Sequence, residues 1–238
     1  MNITKENIVG KVVAQDYRTA SVFKSHSIDF CCKGNRSIAE VCEKEQIDEN
    51  KLIQELNQAA ITSDADTTDF KSWDMDLLAD YIEKKHHRYV DKKIPEIKAF
   101  LNKVAKVHGE RHPELIEIEQ LFTDSAHELL AHMEKEEKIL FPYVREMAAD
   151  STLQQPHFGT VKNPIQMMMQ EHDTEGERFR KIALLSNNYT PPFDACTTYK
   201  VAFALVKEFE EDLHLHIHLE NNILFPKAIE TEKKLNYA

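Results

Sequence analysis

Apolar positions follow two kinds of pattern along the chain. In residues 1–61 the stripes are short: Ile8, Val12, Val13, Ala20 and Phe23 sit near helical spacing. Ser37-Ile-Ala-Glu40 has the form of a capping box, and Asp48 can cap a helix running through Leu56. Asp29-Phe-Cys-Cys-Lys-Gly-Asn-Arg36 reads as a turn before them. About 60 residues bury only a thin core, so this unit is expected to lean on a neighbouring surface or on a second chain. Residues 62–71 are polar with no apolar period and read as a linker. The expected organisation is a small helical Cys-Cys domain at 1–61, a linker at 62–72 and one larger domain at 73–238.

From Trp73 onward the period is that of long helices. The first pattern covers 75–107 with Asp74 as its cap, and the second runs from Pro113 to about 149. Residues 150–163, with Pro156 and Gly159, read as a loop. The third pattern begins at Asn163-Pro-Ile-Gln166, with Asn163 as cap and Pro164 at the first helical position, and ends at Asn187-Asn188. The fourth follows Pro191-Pro192 and ends near Glu230. Four long helices with short connections predict an all-α fold, an up-down-up-down four-helix bundle preceded by the small helical unit.

Composition sharpens this picture. Only 5 of 238 residues are Gly, where about 7% is usual, which fits few chain reversals. The net charge of −11 repels phosphate backbones and argues against a nucleic-acid partner. No apolar run approaches the ~18 residues of a membrane span, and MNITKENIVGK has no signal-peptide core. Cys31, Cys32, Cys42 and Cys196 are too sparse for a disulfide framework. The expectation is a cytoplasmic protein without a membrane or nucleic-acid partner.

The 12 His carry the chemistry. His132-Met-Glu-Lys-Glu136 and His216-Ile-His-Leu-Glu220 are both His-x-x-x-Glu, and each continues into Ile-Leu-Phe-Pro, ending at Pro142 and Pro226. The repeat is offset by 84 residues; His87 and His172 repeat with an offset of 85. On a helix i and i+4 share a face, so an imidazole and a carboxylate can reach one metal together. At ~1.5 Å rise per residue, His87 and His132 lie at similar depths from their shared connection, about 30 and 28 Å. His172 and His216 lie roughly 22 and 33 Å from theirs. Four imidazoles and two bridging carboxylates exceed what one tetrahedral zinc needs and suit a pair of iron or manganese ions. The expected metal ligands are His87, His132, Glu136, His172, His216 and Glu220. His108, about 31 Å from His87 along an unbroken helix, is expected to stay outside.

These residues resemble the hemerythrin-like domain. Asp29-Phe-Cys-Cys before a Gly turn, His132-Met-x-Lys-Glu136-Glu-x-Ile-Leu-Phe-Pro142, Gln170-Glu-His172-Asp, Thr190-Pro-Pro-x-x-Ala-Cys196-Thr-Thr and Leu219-Glu-Asn-Asn-x-Leu-Phe-Pro226 resemble the iron–sulfur-cluster repair di-iron proteins, the RIC (repair of iron centres) family. The resemblance covers nearly the whole chain. It implies a non-haem di-iron centre, two Fe ions bridged by carboxylate and able to carry an oxo bridge. It also implies a cytoplasmic stress-response protein that restores clusters damaged by oxidative or nitrosative stress, with damaged iron–sulfur proteins as partners and O2 or NO as small ligands. The turn departs from the family's usual Cys-Cys-Gly-Gly: here it is Cys31-Cys32-Lys33-Gly34.

Around this set the remaining residues divide as follows. Cys31 and Cys32 are candidate redox or transfer thiols, against a buried pair without chemistry. Cys196 follows two prolines near a helix start, where a thiolate gains stabilisation, although a structural role is the plainer reading; Cys42 reads as core. The Ile-Leu-Phe-Pro tails read as core and helix-ending signals, and Met167, Met168 and Met169 as core above the site. His86, His112, His157, His214 and His218 read as surface or supporting groups; Glu171, next to His172, can face a cavity, although a solvated carboxylate is the plainer reading. Three functions compete: cluster repair by iron donation, NO reduction or both; an O2 or NO carrier or sensor; and a ferritin-like oxidase. The Cys-Cys domain favours the first over the second, and a second copy packing on it would give a homodimer. The third expects Glu-x-x-His pairs and a carboxylate-rich site, whereas here each repeated pair is His first, spaced by four, and the site is His-rich.

Overall fold

The computed structural model describes residues 2–61, 68–149 and 156–235. Residues 62–67 of the expected linker and 150–155 of the expected loop lie outside the described residues. The helices, in order, are α1 (Val9–Gln15), α2 (Thr19–Ser25), α3 (Ile38–Glu45), α4 (Glu49–Ile61), α5 (Met75–Tyr81), α6 (Arg88–His108), α7 (Glu114–Lys135), α8 (Phe141–Ala148), α9 (Lys162–Leu185), α10 (Thr197–Leu219) and α11 (Phe225–Leu235). Single π-helical segments join α5 to α6 (Ile82–His87), α7 to α8 (Glu136–Leu140) and α10 to α11 (Glu220–Leu224). The fold is all-α, a hemerythrin-like four-helix bundle preceded by a small helical region, with no strand among the described residues. Among those residues no helix is long and apolar enough to cross a membrane.

The chain forms two compact units, one of residues 1–78 with 217–238 and one of 79–216. In the first, Ser37 and Glu40 make the predicted reciprocal capping box at α3, and the Asp48 carboxylate accepts the Lys51 N–H at the start of α4. Val9, Phe23, Ile38, Val41, Leu52 and Leu56 form its buried core. It packs against the C-terminal part of its own chain, which belongs to the same unit. Asn221 Nδ2 donates to Cys31 O (3.1 Å) and Asn222 Nδ2 to Phe30 O (3.2 Å), and the buried His218 ring lies 5.7 Å from Tyr17 and 5.8 Å from Phe30. Gly10 and Gly34 meet backbone to backbone, with Gly10 N–H on Gly34 O at 2.7 Å. A Cβ on Gly34 would stand 2.2 Å from Phe30 O, so only glycine fits there.

In the second unit the buried positions of α6 step by three and four: Val90, Ile94, Ile97, Leu101, Val104, His108. Helix α6 continues through Pro95. Phe209 of α10 joins the four rods, its ring centroid 6.2 Å from Tyr89 on α6, 5.3 Å from Phe122 on α7 and 5.9 Å from Phe179 on α9.

Two readings of helix ends need correction. The Ile-Leu-Phe-Pro tails do not end their helices. A proline inside an unbroken α-ladder lacks a donor and clashes with the carbonyl four residues back. Here one wide turn precedes it: Phe141 N–H donates to Glu136 O and Phe225 N–H to Glu220 O, five residues back, and the helix restarts with proline in its first turn, where no donor is needed. The fourth rod therefore runs on to Leu235 rather than ending near Glu230. Asn163 is not the cap of α9, which starts at Lys162; its amide instead donates to Phe158 O at 2.8 Å. Pro164 still falls in the first turn, so the sequence signal was displaced by little.

Candidate metal centre

The candidate ligands occupy core positions of amphipathic stripes. On α7 the buried series Leu115, Ile118, Phe122, Leu129 continues through His132 and into Glu136 of the π-segment. On α9 it reads Ile165, Met168, His172, Glu175, Phe179, Ile182. The helical period that builds the core thus also aims polar groups into it. His87, His132, Glu136, His172 and His216 are 0–3% exposed. Groups this polar are costly to bury unless something binds them.

They converge in two overlapping groups. His87, Glu136 and His216 offer ligand atoms within 4.8 Å of one another, and so do His132, Glu136 and His172. Glu136 is common to both: its Oε2 lies 3.4 Å from His87 Nε2 and 3.3 Å from His132 Nε2. His132 Nε2 and His172 Nε2 face each other at 3.0 Å. Two donors each about 2.1 Å from one cation stand roughly 3.0–3.4 Å apart for angles from right to tetrahedral. The separations found fit a cation site, and the nitrogen–oxygen donor set suits a first-row divalent metal such as iron or manganese. Glu220, also fully buried, follows His216 by four residues as the helix continues, so the two share a face. All three π-segments begin or end at one of these residues: His87, Glu136 or Glu220.

A ring of carboxylates turns the imidazoles. His87 Nδ1 lies 2.9 Å from Glu137 Oε1 and His132 Nδ1 2.7 Å from Glu171 Oε2. With Nδ1–H donating outward, each ring presents the Nε2 lone pair inward. The hydrogen bond to His132, reinforced by one from Lys135, holds the Glu171 carboxyl down at about 2. His86, fully buried, stacks on His216 (centroids 5.5 Å, planes 11°) and bonds Asp212 at 3.0 Å. Phe141, from the first tail, stacks on His87 at 5.6 Å. A cavity of about 270 Å³ opens beside the second group, lined among others by His132, His172, Lys135, Glu171 and Glu175.

Glu171, 34% exposed and lining this cavity, is reached by solvent and also bonds His132, while Glu137 and Asp212 carry no signal of their own in the sequence. Glu171 directly precedes His172 in sequence but reaches His132, 39 residues away, only because α7 and α9 pack together. Of the three methionines only Met168 is core; Met167 and Met169 are 52% and 41% exposed. His108 lies in neither group, its Nε2 3.2 Å from Cys196 Sγ. Cys42 is buried.

Cys31 and Cys32 are not joined in a disulfide; their sulfurs lie 3.7 Å apart. The Asp29 carboxylate accepts both of their backbone N–H groups, at 3.0 and 2.9 Å, and Asp29, Cys31 and Cys32 cluster within 4.8 Å. The neighbouring Cys32, then burial, then Asp29 push the Cys31 thiol well above its ordinary range. Cys31 is thus held as a protonated thiol, while Cys32 is the more exposed of the two.

A helical bundle whose core presents His and Glu in this arrangement is a cation-binding bundle of the hemerythrin class. The sequence matches the family described as hemerythrin HHE cation binding domain over residues 78–228, and a family described as Domain of Unknown function (DUF542) over residues 5–60. The chain is 32% identical over 225 residues to the iron–sulfur cluster repair protein ScdA of Staphylococcus haemolyticus, covering 94% of this chain and 99% of that protein. It is 30% identical over 228 residues to the iron–sulfur cluster repair protein YtfE of Escherichia coli, covering 96% and 99%. The chain belongs to this family of hemerythrin-domain iron–sulfur cluster repair proteins.

Proposed function

We propose that this protein is a cytoplasmic di-iron protein that repairs iron–sulfur clusters damaged by oxidative or nitrosative stress, by iron donation, NO reduction or both. One iron would be held by His87 and His216, the other by His132 and His172, with Glu136 and Glu220 shared. The observation that carries this reading is that Glu136 is common to two buried His groups. A pair of irons in such a site supplies one-electron chemistry and Lewis acidity toward O2 or NO. The protein's own part is to fix the ligands. Glu137 and Glu171 set the ring orientations and His86 backs His216.

The N-terminal unit favours repair over a carrier or sensor. In this reading Cys32, with Asp29 and Cys31 beside it, serves transfer or docking toward the damaged client, and a second copy of the chain is a candidate partner. The test is reactivation of an iron–sulfur enzyme inactivated by NO, using the iron-loaded full chain. Activity returns with the loaded chain and falls with Cys31→Ala/Cys32→Ala at unchanged iron content. No reactivation by the iron-loaded chain overturns the repair function. Full reactivation by the Cys variant removes the thiols from it.

A further inference from the structure

A second pair of reactive groups meets about 30 Å from His87, at the far end of α6. His108, the last residue of that helix, is 6% exposed, and its Nε2 lies 3.2 Å from Cys196 Sγ. Cys196 is free and exposed. Its carbonyl accepts the Lys200 N–H at 3.1 Å, which makes it the N-cap of α10, a helix of 23 residues. A thiol at a long helix N-terminus with an imidazole in hydrogen-bond reach is the arrangement of an activated sulfur nucleophile.

The surroundings favour thiol chemistry over a metal. His112, the other imidazole nearby, has both ring nitrogens engaged, by Glu114 at 3.1 Å and Asp194 at 3.1 Å. Arg111 holds Asp194 from the other side at 3.3 Å. Tyr199 packs 5.5 Å from the His108 ring. The segment that delivers Cys196 is built with unusual backbone: Asn187, Asn188 and Tyr189 all have φ between 50 and 59°, a left-handed run without glycine, ahead of two prolines.

We propose that Cys196 and His108 form a thiol-exchange site that takes low-molecular-weight disulfides, so that the bundle is reversibly thiolated at Cys196. His108 Nε2 accepts the Cys196 proton. The sulfur attacks one sulfur of R–S–S–R, whose S–S bond breaks as the Cys196–S–S–R bond forms. The departing RS⁻ takes the proton back from His108; Cys196 is oxidised to the disulfide level as the departing sulfur is reduced to a thiol, so the disulfide is the only oxidant needed. Excess RSH reverses the step.

The experiment treats the full-length, iron-loaded chain with substoichiometric glutathione disulfide and follows each cysteine by peptide mass mapping. Cys196 acquires glutathione first, roughly tenfold faster than Cys32. His108→Gln slows that reaction roughly tenfold, and Cys196→Ser removes it with iron content unchanged. Reaction at Cys196 no faster than at Cys32 overturns the proposal. That comparison is made on the unaltered chain, so it decides even if His108→Gln fails to fold. An unchanged rate in a folded His108→Gln chain overturns the role of the imidazole.

Discussion

Glu171→Gln separates the two halves of the candidate centre. The carboxylate accepts from His132 Nδ1 at 2.7 Å and is tied by Lys135, so it fixes only the His132–His172 group. Gln keeps the volume and removes the charge that makes His132 a strong donor. Loss of such an outer partner costs about 10–100-fold in metal affinity, or roughly 1.4–2.7 kcal/mol. The Lys135 ion pair is partly exposed and contributes at most about 1 kcal/mol to folding, so the effect on binding exceeds that on stability. The assay is Fe(II) titration against a competing chelator, resolving two binding constants. In Glu171→Gln one constant falls about 10–100-fold and the other stays within about threefold; Glu137→Gln, which frees His87, has the complementary effect. The reasoning fails if neither variant changes either constant, or if both constants fall equally in both variants.

Three further outcomes follow from the fold. Phe209→Ala removes the ring that touches Tyr89, Phe122 and Phe179 and lowers stability by about 3–5 kcal/mol, read by urea unfolding; a loss below about 1 kcal/mol contradicts the packing. Gly34→Ala drives a Cβ into Phe30 O and destabilises the unit of residues 1–78 and 217–238 by about 1–3 kcal/mol, seen as faster proteolysis there; unchanged protection contradicts it. The Arg18 hydrogen bond holds the Asp16 carboxyl below its ordinary value. Its contribution is therefore present above the unfolded pKa of about 3.9 and is lost as pH falls through the folded one, so Asp16→Asn flattens the acid limb of the stability curve. An acid limb of unchanged slope speaks against the pair.

Much of the site was legible because helical spacing is short-range information. His132 and Glu136, four apart on a stripe already marked by Leu115, Phe122 and Leu129, had to share the core face. Depth along antiparallel rods then brought His87, His172 and His216 to the same level. The supporting carboxylates were not legible: Glu137, Glu171 and Asp212 act across helix pairs whose azimuths no single stripe gives. The π-segments were hidden as well. Pro142 and Pro226 mark helix ends in sequence, but one wide turn lets the helix pass them, and each such segment carries or adjoins a candidate ligand. The thin N-terminal core announced that something else must cover it, but that the cover is Asn221, Asn222 and the C-terminal helix of the same chain required the structure.

The central claim is that one carboxylate couples two irons. It is tested most directly by metal analysis of the purified full-length chain beside its Glu136→Ala variant. Glu136 belongs to both His groups, so the account predicts two irons per chain in the parent and loss of both together in the variant. Two irons retained in Glu136→Ala, or a parent chain holding a single zinc, would contradict it.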